Sequence, residues 1–214
     1  MRRYLAVSGK ALSVGIAAAI MSAGPAAAAN PIVSVGGGGY GESIQVGTPL
    51  SGSITSGPTP VVALPASGGG PFTAQLANVN IPGVASLGLL TASTTGALGA
   101  GGFAQSSAQV ANVDLLTGTV GATAVSSSCQ ADGNGTSGSS SIVGGQAAGI
   151  PLAANPPPNT QIPIPLVGTL TLNEQSASQV GGTRSITVNA VHLHLTGLLT
   201  GDVIIAQSRC VARN

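Results

Sequence analysis

The sequence predicts an all-β protein, an antiparallel β-sandwich, and three observations predict it. Glycine and proline, 33 and 14 of 214 residues, recur too often for helices of ordinary length. Between them lie short stretches rich in Val, Ile and Thr, the composition of strands. Helical apolar periodicity is almost absent after residue 29. Two packed antiparallel sheets are the simplest way to bury so many short strands. A parallel β-solenoid would need a repeat of fixed length, and none occurs.

Residues 1–29 read as a signal peptide. Arg2, Arg3 and Lys10 form a positive start, and Ala11 to Met21 is small and mostly apolar. Gly24 and Pro25 break any helix, and Ala27-Ala28-Ala29 offers the small residues of a cleavage site after Ala29. The apolar run is well short of the roughly 20 residues that span a bilayer, so cleavage is expected to leave no transmembrane segment. Arg2-Arg3 leaves Sec and twin-arginine export both open, and no Cys follows Ala29 to make a lipoprotein.

Residues 30–101 are rich in glycine and proline, with brief candidate strands near 43–46, 60–64, 72–79 and 84–91. They read either as an extended lead-in or as edge strands. Residues 102–214 read as the sandwich core. Strands are expected over Phe103 to Leu116, Thr119 to Cys129, Ser141 to Ala147, Thr169 to Glu174, Arg184 to Leu195 and Asp202 to Cys210. Asp132 to Ser140 carries the turn pairs Asp132-Gly133 and Asn134-Gly135 and reads as a polar loop. Pro156-Pro157-Pro158 forces an extended, turning connection. Thr200-Gly201 marks a tight turn, so the last two strands are expected to pair as a hairpin.

Removing 29 residues leaves 185, with three arginines, no lysine and five acids, a net charge of −2. About a quarter of an ordinary domain is charged, so Ser, Thr, Asn, Gln and backbone must wet this surface. Nucleic-acid binding needs several Lys or Arg against phosphate and is not expected. The aromatic residues after Ala29 are Tyr40, Phe72 and Phe103, too few for the ring platforms of a typical sugar-binding module. Cys129 and Cys210 are an even pair in an exported chain, which implies a disulfide.

His192 and His194 are the two histidines. Alternate residues of a strand share a face, so His-x-His can present two imidazoles to one zinc ion. A third ligand would have to come from Glu174, Asp202 or Asp114. The plainer reading puts Val188, Ala190, His192 and His194 on the polar face of a strand whose other face is Val191, Leu193 and Leu195. Glu174 reads as a carboxylate at a strand end, with no acid/base partner near it in sequence. No catalytic residue and no cofactor is expected. Gly36-x-Gly38-x-x-Gly41 matches a dinucleotide fingerprint, but no helix follows, and it reads as a Gly-rich loop. No G-x-S-x-G elbow occurs. Asn134-Gly135-Thr136 matches a glycosylation sequon and reads as a loop.

Four segments in order carry a family resemblance: Pro158-Asn159-Thr160, Leu172-Asn173-Glu174-Gln175, Ile186 to His192, and Gly201 to Ala206. Together they resemble the choice-of-anchor P family of exported actinobacterial proteins, over about 103–212. The resemblance implies a surface or secreted module with no assigned activity. The residues up to Asn214 hold no sorting signal, apolar span or basic tail, so anchoring through this C-terminus is not expected.

These observations together predict a secreted, non-enzymatic β module, associated with the cell envelope or wall, or with itself. Weakly charged sheet edges favour self-association. The alternative is a zinc-dependent hydrolase built on His192 and His194.

Overall fold

The structure is a computed structural model that describes residues 30–48 and 52–214. The signal-peptide reading of 1–29 lies outside these residues. The chain forms fifteen strands: β1 (Ser34–Thr48), β2 (Gly52–Leu64), β3 (Gly69–Leu76), β4 (Val79–Ile81), β5 (Ala85–Leu87), β6 (Leu90–Ala97), β7 (Phe103–Leu115), β8 (Val120–Asp132), β9 (Thr136–Val143), β10 (Gln146–Ala147), β11 (Ile150–Pro151), β12 (Thr160–Ile164), β13 (Gly168–Val180), β14 (Thr183–Thr196) and β15 (Thr200–Arg213). The described residues contain no helix.

Two antiparallel sheets pack face to face as a β-sandwich. One has six strands in the order β12-β13-β14-β15-β1-β2. The other has nine, centred on β7 and β8. Each edge of that central pair is shared: β6 and β5 both pair with β7, and β9 and β10 both pair with β8. The expected hairpin of the last two strands is present, Thr196 pairing with Thr200.

Several expectations need correction. Residues 30–101 are neither a lead-in nor edge strands alone. They supply six strands to both sheets, and β1 lies between β15 and β2 inside its sheet. The Gly-rich stretch 36–41 lies in the first half of β1 and is not a loop. A Cβ on Gly39 would stand 2.7 Å from the Gln207 carbonyl oxygen and 3.7 Å from Ala108 Cβ. One on Gly41 would stand 2.6 Å from Leu90 Cδ2. Glycine is therefore used where the adjacent strand, at Gly39, or the facing sheet, at Gly41, leaves no room for a side chain. Most of the polar stretch from Asp132 to Ser140 is strand, since β9 starts at Thr136. Asp132 Oδ1 accepts hydrogen bonds from the amides of Asn134 (2.7 Å) and Gly135 (3.0 Å), which tightens the turn. Asn134 of the sequon lies in it.

The core divides in two. The larger cluster gathers Ile44, Leu90, Val110, Val125, Ile142, Leu172, Leu193 and Ile205. The smaller holds Val35, Leu64, Ala131, Ile186 and the Cys129–Cys210 disulfide, which joins β8 to β15 across the sheets. Buried Thr94, Ser106, Ser127, Ser140 and Ser208 share the interior with these clusters.

Side-chain alternation slips by one residue along a row that crosses the six-stranded sheet. Pairing holds at Tyr40–Gln207–Asn189–Glu174 and resumes at Glu42–Ile205–Val191–Leu172. Within the skipped row, Asn173 and Ala206 take left-handed backbone, φ 49° and 54°. Val188 and Ala190 therefore point into the core, and so do Val191, Leu193 and Leu195. This corrects the expectation that Val188 and Ala190 share the outer face with His192.

Candidate functional site

Three adjacent strands, β13, β14 and β15, bring four titratable side chains together on the outer face of the six-stranded sheet. Alternation places His192 and His194 on that face, as their spacing requires. Cross-strand pairing then sets His194 opposite Asp202 and Asn189 opposite Glu174. Glu174 stands mid-strand in β13, not at a strand end as expected.

The contacts form a chain. Glu174 Oε2 lies 2.9 Å from His192 Nδ1. His192 Nε2 lies 3.0 Å from Asp202 Oδ1, and His194 Nδ1 lies 2.8 Å from the same oxygen. Asn189 Nδ2 donates to Glu174 Oε2 at 2.6 Å, and Gln207 Nε2 donates to Asn189 Oδ1 at 2.7 Å. A carboxylate only accepts, so His192 satisfies both contacts when both its nitrogens carry protons. His194 is the most exposed member, its side chain 57% accessible.

The electrostatics follow from these contacts. Burial pushes the Asp202 carboxyl up, but hydrogen bonds from His194 and His192, and their charge, outweigh it and hold it below the ordinary range. Burial, reinforced by the charges of Glu42 and Glu174, pushes the Tyr40 phenol up to about 12.

Of the three carboxylates considered as partners for the histidines, Glu174 and Asp202 arrive and Asp114 does not. Asp114 sits on β7, where Oδ1 accepts from the Gly118 amide at 2.7 Å. Among the described residues, no group of three or more His, Cys, Asp or Glu side chains is arranged to hold a metal ion. Both His192 nitrogens already face carboxylates. The hydrogen bonds of the two histidines run to carboxylates, not to a Ser or Thr hydroxyl. Asn189 and Gln207 were not legible as members of the site. Asn189 reaches the outer face through the slipped row, which has no sequence signal.

Comparison with known proteins gives no family model, no curated protein and no solved structure that matches this chain.

Proposed function

We propose that the chain is an exported, non-enzymatic β-sandwich module associated with the cell envelope, in keeping with its resemblance to choice-of-anchor P proteins. The observation that carries the reading is the Cys129–Cys210 bond between the two sheets. Such a bond persists in an oxidising compartment, and it stands beside the leader pattern of residues 1–29.

At the six-stranded sheet the edges hinder edge-to-edge self-pairing. Pro58 and Pro60 lie in β2 and Pro163 in β12, the two edges of the six-stranded sheet. Proline removes donors that a second copy would need. The test is fractionation of expressing cells into medium, salt-washed wall and membrane, with a mass spectrum of the recovered protein. Envelope-bound protein lighter by 29 residues and two hydrogens is expected. Full-length protein retained in the cytoplasm would overturn the reading.

One observation favours a second reading, a metal-dependent hydrolase: Asp202 contacts both His192 and His194. Elemental analysis of wild type and of a His192→Ala, His194→Ala variant decides it. Stoichiometric zinc lost in the variant would establish the metal site, and zinc-free wild type removes it.

A further inference from the structure

The sandwich is polarised end to end. At one end, turns from both sheets meet. Leu116 donates its amide to the Val84 carbonyl, Ala148 to Thr119, and both Thr196 and Gly197 to Val167. A depression of about 240 Å³ is lined there by Leu116, Leu166, Val167, Leu195, Leu198 and Leu199, among others. The turns at 116–119, 148–149, 165–167 and 197–199 contain no charged residue. Leu166 is 94% exposed, Leu198 83% and Ile150 61%. The opposite end carries Asp132, Asn134, Arg184, Arg213 and Asn214, with Val33, Leu98 and Val180 exposed among them.

We propose that the leucine-bearing end inserts shallowly into the interface of a lipid bilayer, a reading that rests on, and gives a partner to, the envelope module above. Large aliphatic side chains held almost wholly in water mark a surface that meets something apolar. Their arrangement identifies it. Leu116, Leu166 and Leu198 gather around one small depression, with Ile150 exposed on a further turn, which makes a compact apolar tip rather than a broad face. A stable protein interface takes roughly 20–30 residues a side, and these few tips fall far short. Lipid imposes no such minimum, because each apolar side chain leaving water contributes on its own.

The charge pattern agrees. The tips hold no group that would be costly to bring into the acyl boundary. The first titratable groups back from them, Asp114, His194 and Asp202, lie on the strands just behind the turns. There they meet the hydrated headgroup layer. With no cation at the tip, binding is apolar and needs no anionic lipid.

The experiment is flotation of the purified protein with phosphatidylcholine vesicles at 0.1 M and 1 M NaCl. Co-flotation at both salts is expected. A Leu166→Ser, Leu198→Ser variant should lower the vesicle-bound fraction about tenfold, and Val180→Ser at the other end should leave it unchanged. Both changes are at exposed positions, and equal thermal midpoints confirm that the variants fold. Failure to float, flotation only with anionic phosphatidylglycerol vesicles, or an unaffected double variant overturns the proposal. So does sedimentation showing a wild-type dimer that the double variant dissociates, since the tip would then be a self-interface. Cell fractionation reports separately on export: protein that is exported but does not float overturns the lipid tip alone.

Discussion

Cys129 in β8 and Cys210 in β15 lie 81 positions apart and close the sandwich with their Cα atoms 5.9 Å apart. Each cysteine is buried, beside Ala131, Ile186 and Ala212. The closed loop contains β9 to β14, so an open chain gains considerable freedom. Loop-closure entropy sets a ceiling of about 4.5 kcal/mol for this length. A Cys129→Ala, Cys210→Ala variant should lose about 2–4 kcal/mol of unfolding free energy, read from urea midpoints. A loss under about 0.5 kcal/mol would show that the sheets hold without the bridge.

Ser208 is fully buried on β15, and its hydroxyl has no protein partner. Its pairing neighbours are Gly39 and Val188, which offer no side-chain acceptor. A buried polar group left unpaired costs about 1–3 kcal/mol. Ser208→Ala should therefore raise stability, by about 1 kcal/mol once some cost is relieved by local adjustment. Ser106→Ala should act in the opposite direction, because it removes a buried 2.8 Å hydrogen bond with Thr94, whose hydroxyl then keeps only its 3.1 Å bond to the Gln105 carbonyl. Thermal midpoints of the two variants shifting the same way would contradict this account.

Much of the fold was legible because strands and turns leave local marks. The hairpin of β14 and β15, the disulfide and the shared face of His192 and His194 follow from spacing and periodicity of two. What stayed hidden depends on contacts remote in sequence. Gly36 to Gly41 looks like a loop by composition, and is strand because it pairs with β15 on one side and β2 on the other, both remote in sequence. Glu174 looks isolated until β13 and β15 flank β14 and set it and Asp202 on either side of His192. The slip at Asn173 and Ala206 is a left-handed backbone choice that no residue pattern announces, and it decides which side chains join the site.

Asp202 should make the protein less stable in acid. Its carboxyl is held below the ordinary range in the folded state, for the causes given above. A lowered acid contributes stability that is complete above its unfolded value and lost as pH falls through the folded one. Asp202→Asn should therefore lower stability at neutral pH and flatten the decline below pH 4. Its side chain is 47% accessible, so solvent screening limits the effect to within about 1 kcal/mol. Urea midpoints of wild type and variant across pH 2.5–7 measure it. Parallel curves would mean that the histidines do not couple to Asp202 in solution.

Glu42 should act with the opposite sign. It lies inside the sandwich with no accessible surface, paired with Ile205 on β15 and Thr59 on β2. Ser56 Oγ donates to Oε1 at 3.0 Å, while Oε2 has no partner. Tyr40, the next titratable side chain along β1, is neutral at ordinary pH and brings no positive charge. Burial pushes the Glu42 carboxyl up, and the Ser56 hydrogen bond only partly opposes it. For a raised acid, stability is complete below the unfolded value and falls as pH rises through the folded one. Wild type should therefore lose stability as pH rises above the ordinary carboxylate range. Glu42→Gln keeps the shape and cannot ionise, so this part of the decline should disappear. At pH 8 the variant should be the more stable of the two, because it never carries a buried charge without a cationic partner. Denaturation at pH 4.5 and pH 8 separates the outcomes. A variant whose stability falls with pH as steeply as wild type would show that Glu42 is not the group responsible.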